Sequence, residues 1–472
     1  MQISPRSILH DLRTNLKPRE LFYWSVGNLV YWGYHVGMRV ERYGMAEHYG
    51  PPAPATLVLG AHKRDSDPIM FAAYGYYHRG WLAPDSWRRH AFAGRADVWE
   101  PGFLATVIGY KNWPLWMQWL LDHVSFAPIA NRMRGYPILR IPEYTLRQYL
   151  RSVLQDEGNL PLSEVLSDEA ARSGARVDER LRRRKKASPP AEKRPQRVSD
   201  ILGWHYRLIT NRRVHAGYLA AGRYERLREH LRALVDQQLE ALARAMDSGD
   251  TLWFAPEGAV TLDGKLMRLR GGLPTLLARV RPDARVLPST ITYDFMTDHR
   301  RMTACLAVGP KLEGLRDLDR AELSQRVSTA LARQIVVTMS QLGSTRLLAH
   351  LAEQRLQFQP ETELPILAAE ARRLAGLGAW VQRDLLSEPG LRRRLRAFLA
   401  YAVKQQFLTL QDDGGYLVAA SKLQGIRSSA FWENPTRYCA NELSALEAAL
   451  SAGRPAPEPV TEQPEESAVT HP

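Results

Sequence analysis

Short apolar runs alternate with amphipathic segments along the first two thirds of the chain. The run TLVLGA is typical of a strand, and the polar turn HKRDSDP leads from it into the helical segment IMFAAYGYYHRG. Further strands are predicted at HAFAGRADVW, YPILRI, LWFAP and RVLPSTITY, with helices at YTLRQYLRSVLQDEG, YERLREHLRALVDQQLEALARAMDSGD and GGLPTLLARVRPD. This alternation predicts an α/β fold, with a central mixed sheet flanked by helices, over residues 55–310.

The remaining segments differ in character from this α/β region. Beyond residue 310 apolar residues recur at three- and four-residue spacing, as in LSQRVSTALARQIVVTMSQL, which predicts a helical C-terminal domain over 311–450. Residues 161–200 are dense in charge, Ser and Pro, and predict a disordered insertion in the α/β domain. Its RRRKK run is either solvated, a site for lipid phosphates or a nuclear-type signal. Residues 451–472 are predicted to be disordered.

Two aromatic-rich segments bear on the relation to membranes. Neither 21–40 nor 103–121 is an uninterrupted apolar run of about twenty residues, so no spanning helix is predicted. Clustered Trp and Tyr beside Arg and Lys suit the headgroup region of a bilayer, although an amphipathic helix packed on the core has the same pattern. We therefore predict a membrane-associating segment at 1–54 and a peripheral or monotopic protein on the cytoplasmic face of a membrane. The first twenty residues lack the apolar centre of a secretory signal.

Charge and cysteine content narrow the classes of partner. The 472 residues include 64 Lys and Arg against 50 Asp and Glu, a formal net charge of +14, which predicts an anionic partner. Nucleic acid, an anionic bilayer and a phosphorylated substrate all satisfy that charge. Cys305 and Cys439 lie in no metal-ligand pattern, so we expect no structural zinc and no disulfide framework.

The first candidate for chemistry is a His and an Asp five positions apart. His62 directly follows a predicted buried strand, and Asp67 begins the next helix. A neutral imidazole can remove a proton from a hydroxyl near neutral pH, and a carboxylate on its other nitrogen fixes the tautomer. The alternative is that Asp65 or Asp67 only caps the helix.

The second candidate is the stretch FAPEGAVTLDGKLMR, in which a Pro-Glu-Gly turn leaves a strand. Gly264, Lys265, Arg268 and Arg270 follow in a loop, and basic side chains with flexible backbone amides there suit a phosphate. A polar turn without ligand is the alternative. Two further features are weaker alone: Arg140 closes the strand GYPILR, and Pro288 lies in the strand LPSTITY.

In their order along the chain these four features resemble the four sequence blocks of the phospholipid/glycerol acyltransferase family. The resemblance covers about residues 55–310 and implies a glycerol-phosphate acyltransferase-like sheet. It implies that His62 is the general base and that Asp67 orients it. Arg140, Glu257 and Gly258 would bind the polar head of the acceptor, and Pro288 would shape the site. The family takes acyl-CoA or acyl carrier protein as co-substrate, needs no metal or other cofactor, and acts at membrane surfaces.

The third block departs from the family pattern. The family continues Glu-Gly-Thr-Arg, whereas this chain has Ala259 and Val260 after the glycine. The arginine that would contact an acceptor phosphate is therefore missing, and either Lys265, Arg268 or Arg270 replaces it or the acceptor lacks a phosphate there.

The sequence thus predicts an O-acyltransferase of phospholipid biosynthesis that moves a fatty acyl group to a hydroxyl of a glycerol-phosphate or lysophospholipid acceptor. One alternative is a catalytically inactive protein of the same fold at a membrane surface. Another is a nucleic-acid-binding protein, because LRRRLRAFLAYAVKQQFLTLQDDGGYLVA reads as a helix and hairpin like those of a small winged helix. A serine hydrolase is disfavoured, since the sequence has no G-x-S-x-G motif.

Overall fold

The structure, a computed structural model, forms two compact units. One consists of Met1–His90 and Gly249–Pro472, and the other of Ala91–Ser248. The first unit therefore joins residues of the predicted N-terminal segment, of the predicted α/β domain and of the predicted C-terminal domain. The described residues are 25, 29, 31–34, 36–49, 55–64, 67–78, 90–95, 127–132, 134–139, 141, 144–168, 195–202, 206, 210–258, 260–266, 268–297, 302–425 and 433–452.

Strands and helices are numbered in chain order. The strands are β1 (Met38–Tyr43), β2 (Thr56–Ala61), β3 (His90–Arg95), β4 (Gly135–Ile138), β5 (Thr251–Phe254), β6 (Arg285–Asp294), β7 (Met302–Val308), β8 (Gln357–Phe358), β9 (Leu408–Leu410) and β10 (Tyr416–Val418). The α-helices are α1 (Asp67–His78), α2 (Ala127–Arg132), α3 (Leu146–Asp156), α4 (Leu162–Val165), α5 (Val198–Ile201), α6 (Arg223–Asp247), α7 (Gly272–Arg279), α8 (Arg320–Ala332), α9 (Met339–Ala352), α10 (Pro360–Gly376), α11 (Glu388–Lys404), α12 (Ala420–Gly425) and α13 (Pro435–Ser451).

A mixed sheet forms the centre of the first unit. Its strands lie in the order β1-β7-β6-β2-β5, with β2 parallel to both β5 and β6 and with β7 antiparallel to β6. Strand β2 is buried along its whole length, which explains why TLVLGA is an apolar run rather than an alternating pattern. The predicted α/β class with a mixed sheet flanked by helices is confirmed. The pairing of β1 with β7 brings residues of the predicted N-terminal segment into the sheet.

The carboxyl ends of three parallel strands meet at one edge of this sheet. Leu59 of β2 is in register with Phe254 of β5 and with Pro288 of β6. His62 follows β2, the Pro-Glu-Gly turn follows β5, and Tyr293 is the second-to-last residue of β6. Ligands of open α/β sheets bind at such an edge.

The helical C-terminal part packs in the same unit as the sheet. A single hydrophobic core includes Met296, next to β6, and buried residues of α9, α10, α11 and α13. The segment LSQRVSTALARQIVVTMSQL, predicted as helical throughout, is instead two helices, α8 and α9. The β-branched run from Ile335 to Thr338 separates them, and Val337 exchanges backbone hydrogen bonds with Trp380 and Gln382.

The hairpin predicted from the DDGG turn is present. Strands β9 and β10 are antiparallel, and β8 pairs with β10 on the other side. Asp413 accepts a hydrogen bond from the backbone N–H of Gly415, and Gly414 has a positive φ of 80°. From α9 to β10 the elements follow in the order helix, strand, two helices and hairpin.

The second unit contains the parallel strands β3 and β4 and a helical core of its own. Helix α6 buries Leu227 and Leu231 in a cluster with residues of α3, α4 and α5. Helix α4 and all but the last residue of α5 lie within 161–200. The predicted insertion is therefore folded at both ends, because Leu162, Val165 and Val198 join this core. Arg140, residues 103–121 and residues 169–194 with the RRRKK run lie outside the described residues.

No helix in the described part of the chain combines the length and the apolar character that crossing a bilayer requires. Residues 31–34 and 36–37, from the predicted membrane-associating segment, are helical. Tyr31 packs its ring 5.0 Å from that of Tyr74 in α1.

Candidate active site

His62 lies directly beyond the end of β2 and is only 6% exposed. The indole of Trp253 contacts its ring edge to face, with ring centres 5.6 Å apart. Trp253 can occupy this place because residue 60 is a glycine, where a Cβ would be 2.3 Å from the indole. The imidazole therefore packs against the indole of Trp253 from the neighbouring strand β5.

Asp67 holds the turn that carries His62. Its Oδ2 accepts hydrogen bonds from the backbone N–H groups of Lys63 at 2.7 Å and Arg64 at 2.8 Å. The same oxygen lies 3.7 Å from Nδ1 of His62, and the carboxylate is completely buried. Asp67 thus does more than begin α1. Its carboxylate binds the backbone of the turn that carries His62 and lies beside one imidazole nitrogen.

Tyr293 engages the other oxygen of Asp67. Its hydroxyl donates to Oδ1 at 2.5 Å, and the guanidinium of Arg64 lies over its ring at 4.3 Å. Burial, and then the negative charge of Asp67, raise the pKa of Tyr293 well above its usual value. The phenol therefore remains protonated and keeps its role as a donor to the carboxylate.

The Pro-Glu-Gly turn after β5 lies against the His62 turn. The backbone N–H of Thr261 donates to the carbonyl of His62 at 2.6 Å, and the Thr261 hydroxyl donates to Oε2 of the buried Glu257 at 2.8 Å. Gly258 has a positive φ of 64°, which explains a glycine at this position. The structure thereby joins the first and third sequence blocks, which are far apart in the chain.

The loop after this turn carries the predicted phosphate-binding residues. Arg270 donates from Nε to the carbonyl of Glu257 at 3.1 Å, while Lys265 and Arg268 are exposed. Gly264, with φ of 78°, approaches α13 so closely that a Cβ would be 2.2 Å from the carbonyl oxygen of Tyr438. Asn441 of α13 also donates to the carbonyl of Asp263 at 2.8 Å.

A buried ion pair connects the His62 turn to the same helix. Nζ of Lys63 lies 2.5 Å from Oε1 of Glu442, and both side chains are almost completely buried. Oε2 of Glu442 accepts from Nε2 of Gln341 at 3.0 Å. The C-terminal helices therefore contact the candidate site rather than forming a separate module.

Not all the predicted residues meet at one point. The turns at one edge of the sheet carry His62, Asp67, Glu257 and Gly258. Pro288 is buried in β6, opposite Leu59, and borders a separate cavity of about 940 Å³ between α8 and the end of α13. Arg140 lies outside the described residues, so its predicted role stays a prediction.

Sequence reasoning did not single out Tyr293, Thr261, Lys63 or Glu442. Tyr293 ends the predicted strand RVLPSTITY, and a polar residue at the carboxyl end of a strand was the available signal. No local pattern points to Glu442, because its partner depends on where α13 packs.

The arginines that suggested nucleic-acid binding are largely paired with carboxylates. In α11, Arg392 pairs with Glu361 at 2.7 Å, and both Arg393 and Arg394 contact Asp384, at 2.9 and 3.0 Å. The hairpin turn adds two further acidic residues, Asp412 and Asp413, next to this helix in the chain. These contacts do not favour that alternative.

In the part of the chain that the structure describes, no group of three His, Cys, Asp or Glu side chains is suitable for a metal ion. Cys305 and Cys439 are free and buried, and burial raises the pKa of both thiols.

Comparison with known proteins does not assign the chain to a family. No protein-family model matches the chain, and none of the curated proteins matches it either.

Proposed function

We propose that the protein is an O-acyltransferase that moves a fatty acyl group from acyl-CoA or acyl carrier protein to a hydroxyl of a glycerol-phosphate or lysophospholipid acceptor. The observation that carries the proposal is the contact between His62 and Asp67 at the carboxyl edge of a parallel sheet. A buried carboxylate beside one imidazole nitrogen leaves the other nitrogen to accept a proton. The proposal also draws on the resemblance of the sequence blocks to the phospholipid/glycerol acyltransferase family.

In the proposed step Nε2 of His62 removes the proton of the acceptor hydroxyl. The oxygen attacks the thioester carbonyl carbon, an ester C–O bond forms, and the C–S bond then breaks. The imidazolium returns its proton to the departing thiolate, so that a thiol leaves and His62 is neutral again. Asp67 stabilises the imidazolium, and its three hydrogen bonds keep it in place throughout.

A membrane surface is the proposed place of action. Leu29, Trp32 and Val36 recur at helical spacing and expose 73%, 48% and 78% of their surface. Large apolar side chains on one helical face suit the interfacial region of a bilayer, where acceptor and acyl chain are both found.

The test is acyl transfer from labelled acyl-CoA, or from acyl carrier protein, to a panel of lysophospholipids and glycerol 3-phosphate. Loss of a general base lowers a rate by about 10²–10⁴, so we expect His62→Ala to be nearly inactive. His230→Ala serves as the matched control, because His230 is an exposed histidine of α6. A folded wild-type protein that transfers to no acceptor from either donor would instead favour the inactive membrane-surface protein.

A further inference from the structure

A small cleft lies beside the Pro-Glu-Gly turn in the first unit. Its volume is about 330 Å³, and its walls come from the loop before α7, from the start of α7 and from the first turns of α8. Arg268, Arg270 and Arg320 line it together with Ser324 and Ser328. Among the described residues that line the cleft there is no Asp or Glu, so these residues give its wall three positive charges.

Two of the three arginines have no partner of their own among the described residues. In the part of the chain that the structure describes, neither Arg268 nor Arg320 makes an ion pair or a side-chain hydrogen bond, although other arginines of this unit are paired. The nearest acidic side chains at the start of α8 are engaged in a capping box, in which Asp319 accepts from the N–H groups of Ala321 and Glu322. The cleft therefore contains guanidinium groups that are available to a ligand.

The third arginine connects the cleft to the candidate active site. Arg270 donates to the carbonyl of Glu257, and its side chain lies against Gly258, where a Cβ would be 2.8 Å from Cδ of the arginine. The guanidinium of Arg320 lies near the next residue, with Nη2 at 3.9 Å from the place of a Cβ on Gly271. A ligand in the cleft would thus be anchored next to the turn that contacts His62.

We propose that this cleft binds a phosphomonoester group of a substrate, an inference that rests on the proposed acyl transfer. A phosphomonoester has three terminal oxygens and a charge between about −1.5 and −2 at pH 7. Three guanidinium groups and two hydroxyls match that charge and those acceptors better than they match a carboxylate, with its two oxygens and single charge. The cleft would replace the arginine that is missing at position 260.

Two substrates of the proposed reaction carry such a group. One is a glycerol-phosphate acceptor, and the other is acyl-CoA, whose coenzyme A has a 3′-phosphate. Calorimetric titration distinguishes them without any turnover. Glycerol 3-phosphate is compared with glycerol, and coenzyme A with dephospho-coenzyme A. We expect the wild-type protein to prefer the phosphorylated member of at least one pair, and that pair identifies the substrate concerned.

Arg320→Gln and Arg268→Gln should each weaken binding of the preferred ligand at least about tenfold, as expected for loss of a charge-assisted hydrogen bond. Arg326→Gln is the matched control, because Arg326 is exposed and unpaired among the described residues of the same helix but borders the other cavity. It should change the affinity less than about twofold. Equal binding of both members of each pair by folded wild-type protein would overturn the inference, as would equal weakening by Arg326→Gln.

The two proposals fail in different ways. Binding that depends on Arg320, without acyl transfer to any acceptor, would reject the proposed reaction and leave the phosphomonoester site in place. Acyl transfer that His62→Ala abolishes, with binding independent of Arg320 and Arg268, would reject the site alone.

Discussion

The hydroxyl of Tyr293 and the carboxylate of Asp67 are joined by a 2.5 Å hydrogen bond in the buried interior of the first unit. Both groups lie at the carboxyl edge of the sheet, one at the end of β6 and the other after β2. The bond fixes the oxygen of Asp67 that does not approach His62. We infer that Tyr293 is a positioning residue for the proposed base.

Tyr293→Phe should lower kcat about tenfold and leave KM for the acceptor nearly unchanged. The phenyl ring keeps the contact with Arg64, so the loss is confined to the hydrogen bond to a charged group, which contributes about 1.5–3 kcal/mol. Steady-state kinetics of the folded variant test this. Tyr416→Phe on β10 is the control, and a kcat for Tyr293→Phe equal to that of the control would contradict the positioning role.

The ion pair between Lys63 and Glu442 predicts a strong dependence of stability on both partners. Lys63→Met leaves Glu442 charged and buried, and Glu442→Leu leaves Lys63 charged and buried, so each should destabilise the protein by about 3–5 kcal/mol. Replacing both, as Lys63→Met with Glu442→Leu, removes both buried charges and should restore much of that loss. Urea-induced unfolding of the four proteins measures the coupling.

The same pair predicts an effect on activity, because the backbone N–H of Lys63 donates to Asp67. Glu442→Gln should lower kcat although Glu442 belongs to a helix near the end of the chain. A kcat of folded Glu442→Gln equal to that of the wild type would show that the ion pair does not support the turn that carries His62. If each single variant lowers the unfolding free energy by less than about 1 kcal/mol, the range of an exposed ion pair, the pair does not stabilise the fold either.

Local elements were predictable from the sequence because their signals are local. The helix that starts at Asp67 and the strands at TLVLGA and RVLPSTITY follow from apolar spacing and from the start signals around Pro68. The separation of α8 from α9 was missed, since helical spacing continues across Ile335, Val336 and Val337. Their β-branched side chains and the hydrogen bonds to the Trp380 segment decide against a helix there.

The candidate site was predictable only in part, for a related reason. His62 and Asp67 are close in the sequence, so one turn holds them and a short motif reveals them. Tyr293 is 226 residues from Asp67, and the contact depends on β2 and β6 being neighbours. Strand order is a property of the whole fold, and no single segment of the sequence contains it.

Membrane association predicts a measurable role for the exposed apolar face at Leu29, Trp32 and Val36. The double substitution Trp32→Glu with Val36→Glu should weaken binding to vesicles of phosphatidylcholine and phosphatidylglycerol at least about tenfold, because burial of one such side chain contributes about 1.5–3 kcal/mol. Sedimentation with vesicles measures the bound fraction. Leu410→Glu is the control, since Leu410 of β9 is 57% exposed in another part of the unit. Equal losses in the two variants would rule out a specific membrane face.

The last prediction concerns acid stability and the buried Glu363 of α10. Its carboxylate accepts hydrogen bonds from Nε of Arg346 at 2.7 Å and contacts Nε2 of His350 at 2.7 Å. Burial alone would raise the pKa of Glu363, but the hydrogen bonds from Arg346 and His350 outweigh it and leave the pKa below its ordinary value of 4.5. The folded protein therefore binds fewer protons at this residue than the unfolded chain does.

The stabilisation from Glu363 is complete above its ordinary pKa and is lost as the pH falls through the lower pKa of the folded state. Glu363→Gln has no such titration, so its unfolding free energy should decrease less steeply than that of the wild type between about pH 5 and about pH 3. Urea unfolding at a series of pH values measures both slopes. Glu361→Gln, at an exposed position of the same helix, should keep a slope close to that of the wild type, because its ion pair with Arg392 is screened by solvent. If the wild type and Glu363→Gln show the same slope, the hydrogen bonds to Glu363 do not lower its pKa in solution.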